Sequence, residues 1–503
     1  MTTDSDEQTS RPAAATRSAD GVLTGAVLCP VCHQHRGRGV SHRCAAPGLV
    51  VLPAPAHRIL DALRAAGGRP LVVGGAVRDA LRDALSGGAS SATPKDVDIE
   101  VLDVDELEQL RPHLARVARV DDVGASFGIL VATVGGVDFD ISVARERSTA
   151  GGETAASSRR DFTANALGWD YATGELVDPW GGAADVAASV LRRVGPSFSD
   201  DPLRPLRAVQ FVARFGWRID EETLEACRDL APSYGTVPRS RVWGEWKKLA
   251  TRGIHISRAV QALEDMGWLS HFPALAAARG VPQDPVWHPE GDVLTHLGLS
   301  ADAAAASAES SGLPADARLL AVLGALVHDV GKPYVTAVTD DGRITSYGHD
   351  TVGDPVAQDF LTGIGSPHVL RDRIGGLVAE HMCHVSTVGS PTKAAVRRLV
   401  RRLDRRSGVT ILDWARVVDA DVAGRGPAGS PPVSGPWVAL ATELGPSPRK
   451  SLLTGRHLMS LGYRPGPQLG VIIAAAVEAQ DDGLFDDEEG AVAWFVEQEV
   501  PRA

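Results

Sequence analysis

Cysteine is scarce in this chain, with five residues among 503. So few thiols in so long a chain exclude the disulfide framework that small secreted proteins use. Long apolar stretches are also missing: no run of eighteen apolar residues occurs, and the N-terminal segment is polar. We therefore expect neither a transmembrane helix nor a signal peptide. The sequence predicts a cytoplasmic protein that has no membrane contact and no obligate protein partner.

An excess of positive charge is absent as well. The net charge is −12, so any nucleic-acid contact must use local basic patches, because the whole molecule is not cationic. Hydrophobic residues make up 44% and charged residues 23% of the chain, which is typical of a folded globular protein. A chain of 503 residues is too long for one hydrophobic core, and we expect two to four domains.

A glycine pair follows an apolar run that begins at residue 71. The segment LVVGGAVRD is typical of a buried strand, a turn at Gly74 and Gly75, and a helix that carries Arg78. Glycine lets the backbone approach a ligand closely, and amides at the start of a helix bind phosphate. This segment therefore predicts a turn that binds a nucleoside triphosphate.

Two pairs of aspartates lie on predicted strands after this turn. The period of a strand places Asp96 and Asp98 on one face, and Asp138 and Asp140 repeat the pattern. Carboxylates so placed can bind two Mg²⁺ ions about 4 Å apart, as two-metal phosphoryl transfer requires. We interpret Asp96, Asp98 and Asp140 as catalytic, the alternative for the second pair being a solvated strand face.

Arginines accompany the acids further along. Arg160 lies in the segment RRDFTANAL, and arginine pairs with phosphate oxygens in a bidentate way. In the segment DDPLRPLR, a helix cap near Asp200 would put Asp201 and Arg204 on one helix face, where they could contact a base edge. The alternative is an ion pair on a helix surface.

The motifs VVGGAVRD, KDVDIEV, RRDFTANAL, VDPWGG and DDPLRPLRAVQFVARFGW occur in this order. Together they resemble class II tRNA nucleotidyltransferases (CCA-adding enzymes) and bacterial poly(A) polymerases, over roughly residues 55–290. The resemblance implies an α+β fold: a polymerase-β-like head with a mixed sheet, followed by an all-α neck, a body and a tail. It also implies tRNA 3′ ends, CTP and ATP as substrates.

The resemblance further implies roles for single residues. Gly75 and Arg78 match the triphosphate-binding turn, and Arg160 matches a nucleotide-binding arginine. The residues that match nucleotide and base contacts in the next motif are Asp200, Asp201, Arg204 and Arg207. Two departures stand out: Asp200 replaces the usual glutamate, and Gln210 replaces a second arginine of some members.

A second set of metal-ligand residues lies downstream. Its histidines and acids follow the order of the HD phosphohydrolase superfamily: His296, His328, Asp329, His349, His381 and Asp421, with Asp419 as the second choice for the closing acid. Imidazole and carboxylate ligands suit a divalent transition metal. The resemblance implies phosphoester hydrolysis. We expect this site to bind metal, and some tRNA nucleotidyltransferases carry such a body.

Two further segments are candidates for binding. The helix over residues 393–406 carries two rows of arginines: Arg397, Arg401 and Arg405, and Arg398, Arg402 and Arg406. Such rows predict either RNA phosphate binding or an ordinary solvated face. Near the N-terminus, Cys29, Cys32, His42 and Cys44 form a candidate zinc knuckle, for which His33 and His35 are alternative ligands and free thiols the other interpretation.

These features predict an ordered set of domains. They are a disordered arm (1–24), the candidate zinc knuckle (25–48), the head (50–195), the neck (196–285), the HD domain (286–430) and a helical tail (431–503). The function predicted first is template-independent addition of CCA to tRNA. Its near alternative is a poly(A) polymerase or A-adding enzyme. Alternatives from other classes are an HD hydrolase with an RNA-binding head and a non-catalytic RNA-binding protein.

Overall fold

The structure is a computed structural model. It describes residues 16–17, 23–24, 26–37, 42–87, 96–121, 129–144, 150–385, 389–426 and 431–498. Two compact units divide the chain: one comprises the residues up to Ala208 together with Trp217–Ser233, and the other comprises Val209–Gly216 and the residues from Tyr234. Most of the arm predicted to be disordered lies outside the described residues. Within the described part, none of the helices has the length and apolar character needed to cross a membrane.

The first unit is built around strands. In chain order they are β1 (Thr16–Arg17), β2 (Leu23–Thr24), β3 (Ala26–Leu28), β4 (His35–Gly37), β5 (Arg43–Ala45), β6 (Arg69–Val73), β7 (Asp96–Leu102), β8 (Arg119–Asp121), β9 (Ile129–Val134), β10 (Val137–Val143), β11 (Gly168–Asp170), β12 (Glu175–Val177), β13 (Val190–Leu191) and β14 (Arg218–Ile219). Eight of them form one sheet in the order β5-β12-β11-β6-β7-β10-β9-β8. The sheet is mixed, because β7 and β10 are parallel whereas β6 and β7 are antiparallel.

Helices of this unit connect and cover the strands. They are α1 (Ala54–Ala65), α2 (Gly75–Leu85), α3 (Arg111–Leu114), α4 (Ala150–Ser157), α5 (Gly182–Ala187), α6 (Arg204–Phe215, continuing into the second unit) and α7 (Glu221–Leu230). Short 3₁₀ turns lie at Leu107–Gln109, Thr163–Asn165 and Pro196–Asp200, and another spans Ala231–Thr236.

One face of the sheet is core and the other carries acids. Val97 and Ile99 of β7 and Phe139 and Ile141 of β10 are fully buried. Because side chains alternate along a strand, the residues between them point to the opposite face. The aspartates of β7 and β10 occupy those alternate positions, as their period-two spacing predicts.

The described residues of the second unit are mainly helical and include one strand pair, β15 (Ala337–Val338) and β16 (Ile344–Thr345). Its helices are α8 (Arg239–Arg252), α9 (Ile256–Asp265), α10 (Pro273–Ala278), α11 (Val293–Ser310), α12 (Ala315–Val327), α13 (Lys332–Val335), α14 (His349–Gly363), α15 (His368–Glu380), α16 (Lys393–Asp404), α17 (Ile411–Gly424), α18 (Gly435–Leu444), α19 (Gly455–Ser460), α20 (Pro467–Asp482) and α21 (Glu488–Glu497), with 3₁₀ turns at Trp268–His271 and His381–His384. The end of the chain has its own apolar core, to which Leu458, Ile472 and Phe495 contribute. A mixed sheet followed by helices confirms the predicted α+β class.

Candidate active sites

The glycine turn and the aspartates of β7 meet in the sheet. Strand β6 ends at Val73, which is the partner of Asp98 in the antiparallel register. Gly74 follows with φ of +72°, a conformation that L side chains rarely adopt. A Cβ atom at this position would lie 3.1 Å from Oδ2 of Asp98 and 3.8 Å from Nη1 of Arg160. The predicted turn therefore lies next to the predicted metal ligand Asp98 and the predicted phosphate ligand Arg160.

The register between β7 and β10 gathers the four predicted strand acids on one face. Asp138 is the partner of Asp96, and Asp140 is the partner of Asp98. Asp138 differs from the others because it accepts a hydrogen bond from Oγ1 of Thr133 at 2.7 Å. The structure thus places Asp140, rather than Asp138, beside the acid that contacts the glycine turn.

The electrostatics of this face suit a bound cation. Burial raises the pKa of Asp98, and the neighbouring Asp96 adds to the shift, while Arg160 opposes it. Burial also raises the pKa of Asp140, and Asp98 and Asp96 raise it further. Carboxylates that repel one another across adjacent strands ionise most readily when a divalent cation offsets their charge. The residues present therefore fit the predicted magnesium site.

Arg160 is held in position by an acid that the sequence analysis did not select. Nη2 of Arg160 lies 3.7 Å from Oε2 of Glu100, which is nearly buried. Glu100 stands two residues after Asp98 on β7 and so lies on the same face. The alternation DVDIE carried this signal, since the third acid repeats the period of the first two.

The Arg78 side chain is buried and bonds to other protein side chains. Its side chain is almost fully buried, its Nε donates to Asp79 at 2.9 Å, and its Nη1 donates to the amide oxygen of Asn165. The assignment of Arg78 to the triphosphate-binding turn stays a prediction, and these contacts show how its side chain is positioned there. The guanidinium lies beneath Gly75 and connects α2 to the turn at Thr163–Asn165.

Asp161 organises the arginine segment. Its carboxylate accepts three hydrogen bonds: from Nδ2 of Asn165 at 2.8 Å, from the backbone amide of Phe162 at 2.8 Å, and from Nε of Arg207 at 2.7 Å. Burial alone raises the pKa of Asp161, but Arg207 and these hydrogen bonds outweigh burial and bring it below its usual value. Arg207, predicted to contact the nucleotide, is thus oriented by a buried carboxylate.

The predicted helix cap near Asp200 is wrong. Helix α6 begins at Arg204, and Asp201 precedes it with extended backbone angles (φ −128°, ψ 103°). Asp201 and Arg204 therefore do not share a helix face. Arg204 donates to the backbone carbonyls of Ser197 and Arg159, each at 2.6 Å, because the chain folds back over the start of the helix.

The two departures from the family pattern have distinct settings. Asp200 is exposed at the end of a 3₁₀ turn, where a shorter acid can still face solvent or a ligand. Gln210 is nearly buried, so its amide does not replace an exposed arginine.

The predicted HD residues form one buried cluster in the second unit. Nε2 of His296 lies 3.2 Å from Nε2 of His328, and Nε2 of His349 lies 3.1 Å from Nε2 of His381. The two acids lie among these nitrogens: Asp329 is 3.0 Å from His349 and 3.3 Å from His328, and Asp421 is 3.1 Å from His296. Residues from helices more than a hundred positions apart thus meet at one point.

Backbone contacts set the ring orientation of three histidines. The Nδ1–H groups of His328, His349 and His381 donate to carbonyl oxygens at 2.8, 2.7 and 2.6 Å. Each ring therefore directs Nε2 at the acids, as metal-ligating histidines do. Within the part of the chain that the structure describes, Oδ1 of Asp329 is buried and accepts no hydrogen bond. A buried carboxylate oxygen facing imidazole nitrogens fits a divalent transition metal.

Of the two candidate closing acids, Asp421 lies in the cluster, 3.1 Å from His296. Asp419 instead accepts hydrogen bonds from the amide and hydroxyl of Ser434, at 3.0 and 2.6 Å. Asp421 is held by Arg425 through two contacts of 2.9 Å. Burial lowers the pKa of His328, but Asp329 and Asp421 outweigh it and raise that pKa to about 10.

Sequence reasoning missed the residues that surround this cluster. Oε1 of Glu290 lies 2.6 Å from Nδ1 of His296 and 2.9 Å from Nδ1 of His288. Nζ of Lys332 lies 2.6 Å from Oδ2 of Asp329. The segment HPEGD before His296 and the lysine in LVHDVGK were visible signals, since both lie within a few residues of predicted ligands.

The N-terminal cysteines and histidine also converge. One ligand atom from each of Cys29, Cys32, His42 and Cys44 lies within 4.8 Å of the others. The hydrogen bond between the two buried thiols lowers the pKa of Cys29 to about 4 and raises that of Cys44. His33, an alternative ligand, is exposed.

The arginine helix does not present an open basic surface. Helix α16 buries its apolar side as predicted, but it ends at Asp404, before Arg405 and Arg406. Four of the six predicted arginines are in ion pairs: Arg398 with Asp482, Arg401 with Asp481, Arg402 with Glu380 and Arg406 with Asp354. These ion pairs give four of the arginines a structural role beside the predicted one. Arg405 is exposed, and the RNA contacts of all six arginines stay predictions.

A mixed sheet that brings acids, a glycine turn and an arginine together defines a nucleotidyltransferase. Two family models match the chain: "Poly A polymerase head domain" over residues 71–192 and "Probable RNA and SrmB- binding site of polymerase A" over residues 216–279. A multifunctional CCA protein of Xanthomonas campestris pv. campestris (strain B100) is 32% identical, and the alignment covers 80% of this chain and 96% of the relative. That of Stenotrophomonas maltophilia (strain K279a) is 42% identical over 35% of this chain and 42% of the relative.

Solved structures show the same fold. The CCA-adding enzyme of Bacillus stearothermophilus in complex with CTP matches with a TM-score of 0.58 and 20% identity, covering 89% of this chain and 98% of that one. The Thermotoga maritima CCA-adding enzyme complexed with tRNA-CCA matches with a TM-score of 0.52 and 19% identity, covering 88% and 94%. The chain belongs to the family of CCA-adding tRNA nucleotidyltransferases and bacterial poly(A) polymerases.

Proposed function

We propose that this protein adds C and A residues to the 3′ end of tRNA, using CTP and ATP and no nucleic-acid template. The observation that carries this proposal is the position of the Asp98 carboxylate against Gly74 and beside Arg160. Relatives named multifunctional CCA proteins, and fold neighbours solved with CTP, ATP and tRNA-CCA, support the choice of substrates.

The chemistry is a displacement at the α-phosphorus of the nucleotide. The RNA 3′-oxygen forms a bond to this phosphorus, the bond to the bridging oxygen breaks, and pyrophosphate leaves. Asp96, Asp98 and Asp140 would hold Mg²⁺, which when bound lowers the pKa of the 3′-hydroxyl and offsets phosphate charge. Arg160 would bind phosphate oxygens, since its guanidinium is partly exposed and lies 3.7 Å from Glu100.

Base selection is assigned to the segment before α6. Asp200 and Asp201 offer carboxylate acceptors, and Arg204 offers guanidinium donors whose direction two backbone carbonyls fix. A site whose polar groups are pre-oriented rejects the wrong base, because its own donors and acceptors would be left unpaired. The hydrogen bond from Arg207 to Asp161 would hold the Arg207 guanidinium in position to contact the nucleotide.

The test uses radiolabelled CTP and ATP with tRNA that lacks its 3′ end. We expect both nucleotides to be incorporated and addition to stop after the CCA end is complete. Incorporation of ATP alone would identify an A-adding enzyme, and continued ATP incorporation would identify a poly(A) polymerase. Asp98→Ala should abolish incorporation, whereas Asp138→Asn, on the same sheet face but bonded to Thr133, should retain it.

A second activity is proposed for the HD cluster. The convergence of the histidine Nε2 atoms on Asp329 and Asp421 supports a metal-dependent phosphoester hydrolase, acting on 2′,3′-cyclic phosphates or on phosphate at damaged RNA ends. When bound, the metal would supply a nucleophilic hydroxide from water. The protein should hydrolyse a 2′,3′-cyclic nucleotide with a divalent transition metal. Asp421→Asn should lose this activity, and Asp419→Asn, two positions earlier, should keep it.

The remaining predictions have no part in these reactions. The domain boundaries, the RNA contacts of the six arginines between residues 397 and 406, and the cytoplasmic location stay predictions. Zinc at the N-terminal cysteines would be a structural ion and would not touch either substrate.

A further inference from the structure

We propose that Cys29, Cys32, His42 and Cys44 hold a structural Zn²⁺ ion that fastens the N-terminal segment to the edge of the catalytic sheet. Three of these side chains are nearly buried, and Cys32 is half-buried. The inference is independent of the substrate, because it concerns how the head domain is held together.

The distances within the cluster match tetrahedral zinc. Zn–S bonds of about 2.3 Å and a Zn–N bond of about 2.05 Å put two sulfurs about 3.8 Å apart and a sulfur and a nitrogen about 3.6 Å apart. Sγ of Cys29 lies 3.9 Å from Sγ of Cys44, and Sγ of Cys32 lies 3.3 Å from Nε2 of His42. A disulfide would need about 2.05 Å between its sulfurs.

The first two ligands come from a tight turn between β3 and β4. The amide of Cys29 donates to the carbonyl of Gln34 at 3.0 Å, and the amide of His33 donates back to the carbonyl of Cys29 at 2.8 Å. His33 takes a φ of +56°, which lets the chain reverse directly after Cys32. Turns of this kind present two cysteines to one ion in short zinc-binding segments.

The other two ligands belong to the sheet. Cys44 lies in β5, where it is the register partner of Leu176 in β12. His42 stands at the start of this strand, and its carbonyl accepts a hydrogen bond from the amide of Asp178 at 2.8 Å. An ion bound here would therefore link the β3–β4 hairpin to the strand that forms one edge of the eight-stranded sheet.

Arg43, between the two sheet ligands, shows that β5 is an integral part of the head. It donates to Asp170 at 3.0 Å, to Glu175 at 3.0 Å and to Glu153 at 3.1 Å. The matched head-domain model begins at residue 71, so this strand and its metal site are an addition to the matched region. A three-residue strand pairs weakly by itself, and zinc would add a second anchor to the one that Arg43 provides.

Asp178 connects the strand that carries the zinc ligands to helix α5. The Asp178 carboxylate accepts from the amides of Gly182 and Ala183, at 2.7 and 3.0 Å, and so starts α5. A Cβ atom at Gly182 would lie only 2.1 Å from the carbonyl oxygen of Thr163, so α5 packs directly on the turn that holds Asn165. A zinc ion at this site would therefore stabilise α5 and the turn at Asn165 on which α5 packs.

Cobalt substitution of the full-length protein tests the site. Thiolate ligands give Co²⁺ a sulfur-to-metal charge-transfer absorption in the near ultraviolet, which the HD cluster cannot give because it contains no thiol. We expect this absorption in the wild type and in Cys383→Ser, a control at another half-buried cysteine, and its loss in Cys32→Ser. Zinc content should fall by one ion per chain in Cys32→Ser and stay unchanged in the control. Bound cobalt without the sulfur band would overturn the proposal.

Hydrogen exchange on the wild type keeps the test independent of whether a variant folds. Removing zinc with a chelator should speed amide exchange at residues 42–46 and 175–178 by at least tenfold and leave β9 and β10 unchanged. Unchanged exchange at both segments would contradict the role of the ion in fastening β5. Recovery of Cys29 and Cys44 as a disulfide from freshly purified, zinc-free protein would identify a covalent link instead and would also overturn the proposal.

Discussion

Oδ2 of Asp98 lies 3.1 Å from the position that a Cβ atom would occupy at Gly74. The aspartate is the register partner of Val73, so the strand pairing itself brings the carboxylate to the turn. Any side chain at Gly74 would push against the carboxylate as well as strain a backbone with positive φ. This glycine therefore keeps both the turn geometry and the space in which a metal-bound phosphate would lie.

Gly74→Ala should reduce nucleotide incorporation at least a hundredfold, because the added methyl group displaces Asp98 and costs about 1–2 kcal/mol of backbone strain. Gly67→Ala is the matched control: its φ of +87° brings a similar backbone strain, but a Cβ atom there would meet nothing within 4 Å. Incorporation kinetics and thermal unfolding of both variants check this. Equal activity of the two variants would show that the space above Gly74 is not used.

Asp140→Asn should make the metal-free protein more stable at pH 8 while abolishing stabilisation by Mg²⁺ and nucleotide incorporation. The pKa of Asp140 is raised in the folded protein, so its ionised form destabilises the fold once the pH exceeds that pKa. The gain in Tm over the wild type should therefore be larger at pH 8 than at about pH 4, near the ordinary pKa of an aspartate. Thermal unfolding with EDTA at both pH values measures it, with Asp138→Asn as the control. A gain that is equal at both pH values would contradict the electrostatic explanation.

The parts of the site that the sequence predicts best are those governed by local rules. Period two puts Asp96 and Asp98 on one strand face, and a glycine pair after an apolar strand predicts the turn. The order of His328, Asp329 and the distant histidines likewise predicts a shared cluster. For the strand acids and the turn, residue type and spacing carry the prediction, whereas for the histidines the resemblance to the HD superfamily carries it as well.

Long-range partners could not be predicted in this way. Arg401 pairs with Asp481, which lies 80 residues further along, and nothing near either residue indicates the other. Arg204 looks like a helix residue beside Asp201 in sequence, yet Pro202 lies between them and the chain is still extended at Asp201. These errors share a cause: a charged side chain shows its type in the sequence but not its partner.

Glu290→Gln should weaken metal binding at the HD cluster by about 10–100-fold, the usual effect of removing a partner that orients a metal-ligating histidine. The Glu290 carboxylate lies 2.6 Å from Nδ1 of His296, and a neutral amide there would orient the ring less firmly. Titration with Co²⁺, read from its ligand-field absorption, measures the affinity, and Asp419→Asn serves as the control. An affinity equal to that of the wild type would show that the helix backbone alone positions His296.

Arg401→Ala should destabilise the protein by about 3 kcal/mol and leave its affinity for tRNA unchanged. The Asp481 side chain is only 2% exposed, so removing its guanidinium partner leaves a buried charge unpaired. Arg405→Ala, at an exposed residue directly after the same helix, should change stability by less than about 0.5 kcal/mol. If Arg405 contacts RNA, Arg405→Ala should weaken tRNA binding and make that binding less sensitive to salt. Urea unfolding and tRNA binding at two salt concentrations separate the roles. If folded Arg401→Ala loses affinity for tRNA, then Arg401 contacts RNA in spite of its ion pair with Asp481.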